Sequence, residues 1–429
     1  MKRTLSFSWS RSATLLVAGT AFVAATYGLV RLAYGLFLPD LQHDVGLGTA
    51  AAGYVSSGSS VSYCAGAAVG LLADRRPVLV LVLATATGSL GAAGMALSPG
   101  LATFAAATVL ASSAAGLASP GLVALVARAV HAERRAGAQA VVNSGTGPGL
   151  VAAGLLALAV LPHWRAGFAV TAAVTLLSGT AVVLLGLRTA AGERDAPASS
   201  EAPSEAPSQA PSQAPSQAPS QAPSLGDGDL LRRLRAPVVG ALGLGVASAV
   251  VWTYGRSHLG EQGLGPTAST AAWMAIGVGG TVTVLTARRV AALSPPPGWT
   301  LTLATLAASL VALVALAVVD RGAVGLAVAL ASCAVFGWAF VAATSVLIAW
   351  AADLRPGAAA GTSAAFFVLL VLGQALGSAA AGGLAGTVGL GAALAAAAAL
   401  AAASALLGGT RRAVPDAAPT LAVARRVEP

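Results

Sequence analysis

Two arginines stand inside apolar stretches of the sequence. Arg31 lies in TYGLVRLAYGLFLPD (residues 26–40), and Arg256 lies near the end of a later run, in VWTYGRSHL (251–259). A charge at the centre of a bilayer costs at least about 2.5–3.5 kcal/mol on insertion scales, so something must compensate for it. Arg31 is roughly 10 Å from the nearer end of its run, which is too far for simple snorkelling.

The acidic residues cannot neutralise Arg31 within its own stretch. The nearest ones, Asp40, Asp44 and Glu261, stand at the ends of apolar runs. Because guanidinium groups bind carboxylates and phosphates through paired hydrogen bonds, we expect Arg31 to face a wet central cavity and bind an anionic substrate. Arg256 is expected to supply a second guanidinium group that binds the same anion. The equal alternative is that its side chain snorkels to the membrane interface, since it is near the end of its run.

Aromatic residues accompany both arginines and are expected to line the same substrate site. They are Tyr27, Tyr34, Trp252 and Tyr254. The alternative is a belt of aromatic side chains at the membrane interface, which is stronger for Trp252 and Tyr254 than for Tyr27.

No other group in the sequence indicates catalysis. All four histidines lie at the ends of apolar runs or in loops, Cys64 and Cys333 are isolated, and there is no HExxH, GxSxG or Walker pattern. The sequence therefore predicts neither an enzyme nor a metal or cofactor site, and a membrane-embedded enzyme is only a remote alternative.

Composition and hydropathy specify the elements that hold these residues. The 429 residues are 56% hydrophobic and 9% charged, which is typical of a membrane protein. The net charge of +9 comes from scattered residues, which argues against nucleic-acid binding. A membrane helix needs about 20 apolar residues, and this predicts an all-α membrane protein with twelve transmembrane helices in two pseudo-symmetric six-helix bundles. The predicted spans are 13–38, 50–73, 77–97, 101–127, 138–161, 166–187, 237–259, 268–287, 299–319, 323–350, 358–385 and 389–408.

A low-complexity segment separates the two sets of six spans. Residues 201–224 repeat a four-residue unit of Ala, Pro, Ser and Gln or Glu, which has no side chains that could form a core. The predicted domains are a first bundle at 1–189, a disordered cytoplasmic linker at 190–235, a second bundle at 236–410 and a cytoplasmic tail at 411–429.

The distribution of basic residues predicts the orientation. Twenty Lys and Arg residues fall on the side of the termini and the linker, and only Arg165 and Arg321 fall on the other. The positive-inside rule then places both termini in the cytoplasm, with an uncleaved first helix. The abundance of Ala and Gly, with arginine as nearly all of the basic residues, suggests a bacterial protein, so we expect a bacterial inner membrane. We also expect a monomer in its lipid bilayer.

The loop after the second span carries a recognisable motif, GLLADRRP at 70–77. It is similar to the cytoplasmic signature of the major facilitator superfamily in five matching residues, Gly70, Leu72, Ala73, Asp74 and Arg75, whereas Pro77, Val78 and Leu79 depart from it. The resemblance implies that Gly70, Asp74 and Arg75 form a latch, with Asp74 held by the positive end of a neighbouring helix near Gly357. The alternative is a solvated turn with positive-inside charges.

The fifth span contains NSGTGPGLVAAG at 143–154. Gly147 and Pro148 resemble the core of a motif from exporters and antiporters of the same superfamily, although Asn143 replaces its leading glycine. We expect Gly145, Gly147 and Pro148 to form a hinge, since proline removes a backbone hydrogen bond. The alternative is a packing face of small residues.

The resemblance implies a secondary transporter with alternating access. Arg31 stands eight residues before Pro39, as in the organophosphate and organic-anion branches, which also carry an arginine in span 7. The sequence therefore favours transport of a small organic anion bound by Arg31 and Arg256. Without a carboxylate inside the membrane, exchange or facilitated movement is open beside proton coupling. Proton-coupled efflux of drugs or of a secondary metabolite is the main alternative.

Overall fold

The computed structural model describes residues 3–195, 227–319 and 322–408, which form helices and no strand. Within this part of the chain, twelve helical stretches are long and apolar enough to cross a membrane. Because a lipid bilayer offers no hydrogen-bond partners for the backbone, helices are the expected solution for such apolar segments.

The spans are numbered in chain order. Span 1 consists of Arg3–Val23, Ala24–Leu32 and Ala33–Val45, span 2 of Thr49–Val69 with Gly70–Asp74, span 3 of Pro77–Leu97, span 4 of Leu101–Ala129, span 5 of Ala132–Asn143 and Thr146–Val160, and span 6 of Trp164–Asp195. Span 7 is Asp227–Glu261, span 8 Pro266–Ala291, span 9 Pro295–Ala315 with Leu316–Val318, span 10 Ala323–Leu354, span 11 Pro356–Ala358 with Ala359–Val388, and span 12 Leu390–Ala405 with Leu406–Gly408.

Several span boundaries follow from local sequence signals. Spans 3, 8 and 9 begin at Pro77, Pro266 and Pro295. Proline lacks a backbone N–H, and at the first position of a helix this group would have no partner within the helix. Span 1 continues beyond the predicted end at residue 38, through Pro39 to Val45, and stops at Gly46 with φ 66°. Polar side chains after Leu38 lower the hydropathy there, but only the left-handed glycine ends the helix.

Two spans depart from a continuous α-helix. In span 5 the helix breaks at Ser144 and Gly145, four residues before Pro148, whose ring and missing N–H are incompatible with an unbroken turn at that point. Residues Ala24–Leu32 of span 1 form a π-helix, which contains Arg31. The π-helical segment packs against span 5, so the two irregular segments are neighbours.

The two halves, spans 1–6 and spans 7–12, meet mainly through three pairs of helices. Span 1 packs against span 7, span 2 against span 11, and span 5 against span 8. If each half is numbered from one to six, span 2 of either half meets span 5 of the other, which is the arrangement expected of two pseudo-symmetric bundles. We call the end that carries Arg75, Arg134 and Arg288 the basic end, and the other the opposite end.

The predicted linker was too wide at both edges. Span 6 continues as a helix to Asp195 and span 7 begins at Asp227, so both helices extend into 190–235. Charged and small residues lower the hydropathy in these extensions without preventing helix formation. The repeat at 201–224 and the tail at 411–429 lie outside the described residues.

Candidate functional site

A small cavity lies between the two halves, near the middle of spans 1, 2, 7 and 11. Its volume is about 30 Å³, room for about two water molecules. Its lining residues are Arg31, Leu32, Tyr34 and Gly35 from span 1, Ser56, Ser59 and Ser60 from span 2, Ala249 and Trp252 from span 7, and Gln374 and Ser378 from span 11.

Arg31 supplies the positive charge of this cavity. Its Nη2 donates to Oε1 of Gln374 over 2.9 Å, and its guanidinium carbon lies 4.5 Å from the centre of the Tyr63 ring. Neither partner carries a negative charge. Among the residues that the structure describes, no carboxylate oxygen lies within ion-pair distance of Arg31.

Three hydroxyl groups form a closed triangle beside Arg31. Ser56 Oγ lies 2.9 Å from Thr253 Oγ1 and 3.0 Å from Ser378 Oγ, and the last two are 3.1 Å apart. Ser56 belongs to the first half and the other two to the second. This triangle was not predicted, although the serine-rich run SSGSSVS at 56–62 of span 2 is a visible polar signal within an apolar span.

The four aromatic residues predicted for the site occupy different places. Tyr34 and Trp252 line the cavity. Tyr27 does not line it, and its hydroxyl lies 3.1 Å from that of Tyr63. Tyr254 is buried and donates to the carbonyl of Thr49 across the two halves, over 2.8 Å. Tyr254 is therefore enclosed by protein and does not belong to an interfacial belt.

Arg256 does not line this cavity. It is 2% exposed, forms an ion pair with Asp40, and donates from Nη1 to the carbonyl of Leu36 over 2.7 Å. Both partners belong to span 1 of the other half. The snorkelling alternative is wrong, because the guanidinium is buried between helices, and in this conformation Arg31 and Arg256 do not form a two-pronged clamp.

The ion pair belongs to a broader closure of the opposite end. Gly35 lies directly against the backbone carbonyl of Trp252, and Gly53 against that of Ser378, so closely that a side chain at either glycine would collide with backbone. The two halves are thus sealed at the opposite end.

The motif loop after span 2 is held by span 4. Gly70 packs against the ring of Pro120, and Arg128 Nη2 donates to the backbone carbonyl of Asp74 over 2.7 Å. The Asp74 side chain is exposed, as is Arg75, and it forms no hydrogen bond or ion pair with another described residue. The contact between Asp74 and the start of span 11 is not formed in this conformation, and the latch stays a prediction.

The glycines of span 5 face two different neighbours. An added Cβ at Gly149 would lie 2.6 Å from the carbonyl oxygen of Ala24, and Gly145 similarly abuts Thr20, both in span 1. An added Cβ at Gly147 would lie 2.5 Å from the Thr281 hydroxyl in span 8 of the other half. The segment is therefore a packing face on two sides, next to the helix break; its use as a hinge stays a prediction.

No curated protein sequence matches the chain. The sequence profile of the Major Facilitator Superfamily matches residues 20–377. Three similar solved structures show the same fold at low identity. A bacterial homolog of the human lysosomal transporter Spinster, inward-facing and unoccupied, is 15% identical with a TM-score of 0.62, covering 93% of this chain and 95% of that one. The nucleoside transporter NupG is 14% identical with a TM-score of 0.68 over 93% and 98%. A D-xylose–proton symporter is 15% identical with a TM-score of 0.68 over 93% and 97%.

Proposed function

Because the chain belongs to the major facilitator superfamily of membrane transporters, we propose that it moves a small organic anion by alternating access, with Arg31 binding the anionic group. The distribution of basic residues supports both termini on the cytoplasmic side of a bacterial inner membrane. The conformation sealed at the opposite end would then be open toward the cytoplasm.

One observation carries the proposal: within the described part of the chain, the charge of Arg31 has only uncharged partners. The amide oxygen of Gln374 and the ring of Tyr63 satisfy part of the guanidinium, which has five N–H donors. A cation–π contact contributes about 0.5–2 kcal/mol, which does not offset the cost of an arginine in the middle of a membrane span. An anion delivered by the solute would supply both the missing charge and the missing acceptors.

Efflux of drug-like compounds is the second candidate. The observation in its favour is the aromatic wall beside the cavity, where Trp252 packs edge-on against Phe336 and Phe340 at centroid distances of 5.6 and 5.3 Å. Such a wall suits an apolar or aromatic solute. It does not account for the unneutralised charge of Arg31 next to it, and we therefore rank this function second.

Ligand-dependent thermal unfolding of the purified protein tests the proposal. Organic carboxylates and phosphates are compared with lipophilic cations and neutral drugs, on the parent protein and on Arg31→Gln. A ligand at 100 times its Kd stabilises the folded protein by about 2.7 kcal/mol, which is measurable as a rise in melting temperature. We expect an anion to stabilise the parent protein and to lose this effect in the variant.

A second arginine provides the control. Arg165 lies at the opposite end, where it donates to the carbonyl of Ser98 over 3.0 Å and stacks on Trp164, away from the cavity. Arg165→Gln should keep the response to the anion. Stabilisation by lipophilic compounds alone, unchanged in Arg31→Gln, would refute anion binding at Arg31 and favour efflux.

A further inference from the structure

Two buried hydrogen-bond donors on the wall of the cavity have no partner among the residues that the structure describes. They are the hydroxyl of Ser59, a residue that is 8% exposed, and the indole Nε1 of Trp252. Buried polar groups in folded proteins are almost always hydrogen-bonded, so an unpartnered one requires an explanation. Where such a group lines a cavity, a bound ligand can supply the missing acceptor.

The position of each donor is fixed by its surroundings. The Trp252 ring is held edge-on by Phe336 and Phe340, and the carbonyl of Trp252 lies against Gly35 of the other half. Ser59 follows Ser56 by three residues and so lies on the same helix face. Ser56 uses its hydroxyl in the triangle with Thr253 and Ser378, whereas Ser59 does not.

Two of the polar groups that line the cavity cannot accept a hydrogen bond. Arg31 and Trp252 can only donate, and the acceptor oxygen of Gln374 is already occupied by Arg31. None of the lining residues is an Asp or a Glu. A solute bound here needs an acceptor for Arg31 and at least one more for the unpartnered donors.

The size of the cavity limits how far apart these acceptors can be. Its volume is only about 30 Å³, so an acidic group and a second acceptor that bind inside it must lie close together in the solute. Resting on the proposed role of Arg31, we propose that the substrate is an organic anion with a hydroxyl or carbonyl oxygen on the carbon next to its acidic group. Trp252 and Ser59 donate to this second oxygen and select for it.

Matched pairs of ligands test the proposal by thermal unfolding of the full-length protein. Each pair differs in the second oxygen: lactate and pyruvate are compared with propionate, and phenyllactate with phenylpropionate. We expect the oxygen-bearing member of at least one pair to bind about tenfold more tightly, as two modest hydrogen bonds would give.

Two variants remove one donor each. Trp252→Phe keeps a ring against its aromatic neighbours but removes the N–H, and Ser59→Ala removes the hydroxyl. Because each variant removes one of the two donors, either change should lower the tenfold ratio of affinities to about threefold. Trp273→Phe is the matched control, because the indole Nε1 of Trp273 is also buried and unpartnered but does not line the cavity.

The outcomes separate this inference from the role of Arg31. Two results would overturn the second-oxygen proposal: equal affinities within every pair that binds, or a tenfold preference that survives in both Trp252→Phe and Ser59→Ala. If binding is still lost in Arg31→Gln, the role of Arg31 stands. If no member of any pair stabilises the parent protein, anion binding at Arg31 fails as well. A large fall in the melting temperature without ligand identifies a variant that is misfolded. The ratio of affinities in the other variant then tests the proposal.

Discussion

The ion pair between Asp40 and Arg256 allows a quantitative prediction about the closed opposite end. Asp40→Asn keeps the size of the side chain but removes the negative charge. The Arg256 side chain is 3% exposed and that of Asp40 18% exposed, so the arginine would remain buried without a counter-charge. It would keep its hydrogen bond to the carbonyl of Leu36.

Removing one partner of a buried ion pair costs about 3–5 kcal/mol. The lower value, about 3 kcal/mol, applies here because Asp40 is partly exposed and Arg256 keeps a second acceptor. Asp40 and Arg256 stand on different halves and separate when this end opens, so the cost falls on the closed conformation. A change of about 3 kcal/mol shifts the equilibrium toward the open conformation by about 150-fold.

Distances between spin labels at the opposite end measure this shift. Gly48 and Gly265 immediately precede spans 2 and 8, on different halves, and an added Cβ at either would have no heavy atom within 4 Å. Cysteines introduced there can carry labels after Cys64 and Cys333 are replaced by alanine. We expect one short distance in the parent protein and a large population of longer distances in Asp40→Asn.

Asp44 provides the control for charge loss at the same end. Its carboxylate accepts from the indole of Trp164 over 2.8 Å and lies 2.8 Å from the His43 ring, both within its own half. Asp44→Asn should therefore leave the label distances unchanged. If Asp40→Asn and Asp44→Asn both give the distances of the parent protein, the ion pair does not hold this end closed.

Two further substitutions have clear expected outcomes. Gln374→Glu places a carboxylate beside Arg31, so it should mimic a bound anion and lower the affinity for added anion, measured from its effect on the melting temperature, by at least tenfold; an unchanged affinity would contradict the role of Arg31. Gly149→Ala would place a methyl group 2.6 Å from the carbonyl oxygen of Ala24 and should cost about 1–3 kcal/mol, measured as a lower melting temperature. Gly137→Ala, where the added methyl group meets no heavy atom within 4 Å, should leave the melting temperature unchanged or raise it, and equal losses in both variants would refute the packing argument.

The twelve spans were predictable because each is specified by its own residues. A bilayer requires about 20 apolar residues and an intact backbone hydrogen-bond pattern, and both can be read locally. The break in span 5 also has a local cause in Pro148. The π-helix at Ala24–Leu32 has no comparable sequence signal, and it was not predicted.

The partners of the charged residues could not be predicted, because they come from distant parts of the chain. Arg256 pairs with a residue 216 positions away, and Arg31 bonds to one 343 positions away. The sequence shows Asp40 and Arg256 only as two charges near the ends of their runs, and snorkelling then explained Arg256 equally well. Gln374 is an uncharged residue within an apolar span, and nothing in its local sequence connects it with Arg31.

The hydrogen bond between Arg31 and Gln374 links solute binding to the closure of the opposite end. It joins the two halves, and an anion that binds the guanidinium through Nη2 would displace Gln374 from it. A hydrogen bond to a charged group contributes about 1.5–3 kcal/mol, so the anion binds the closed conformation less favourably than an open one by up to that amount. By linkage, bound anion shifts the equilibrium toward opening by the same factor, about 10- to 150-fold. The Asp40–Arg256 pair is not involved in this exchange and must still be broken. We therefore expect anion and Asp40→Asn to act additively on the free energy of opening.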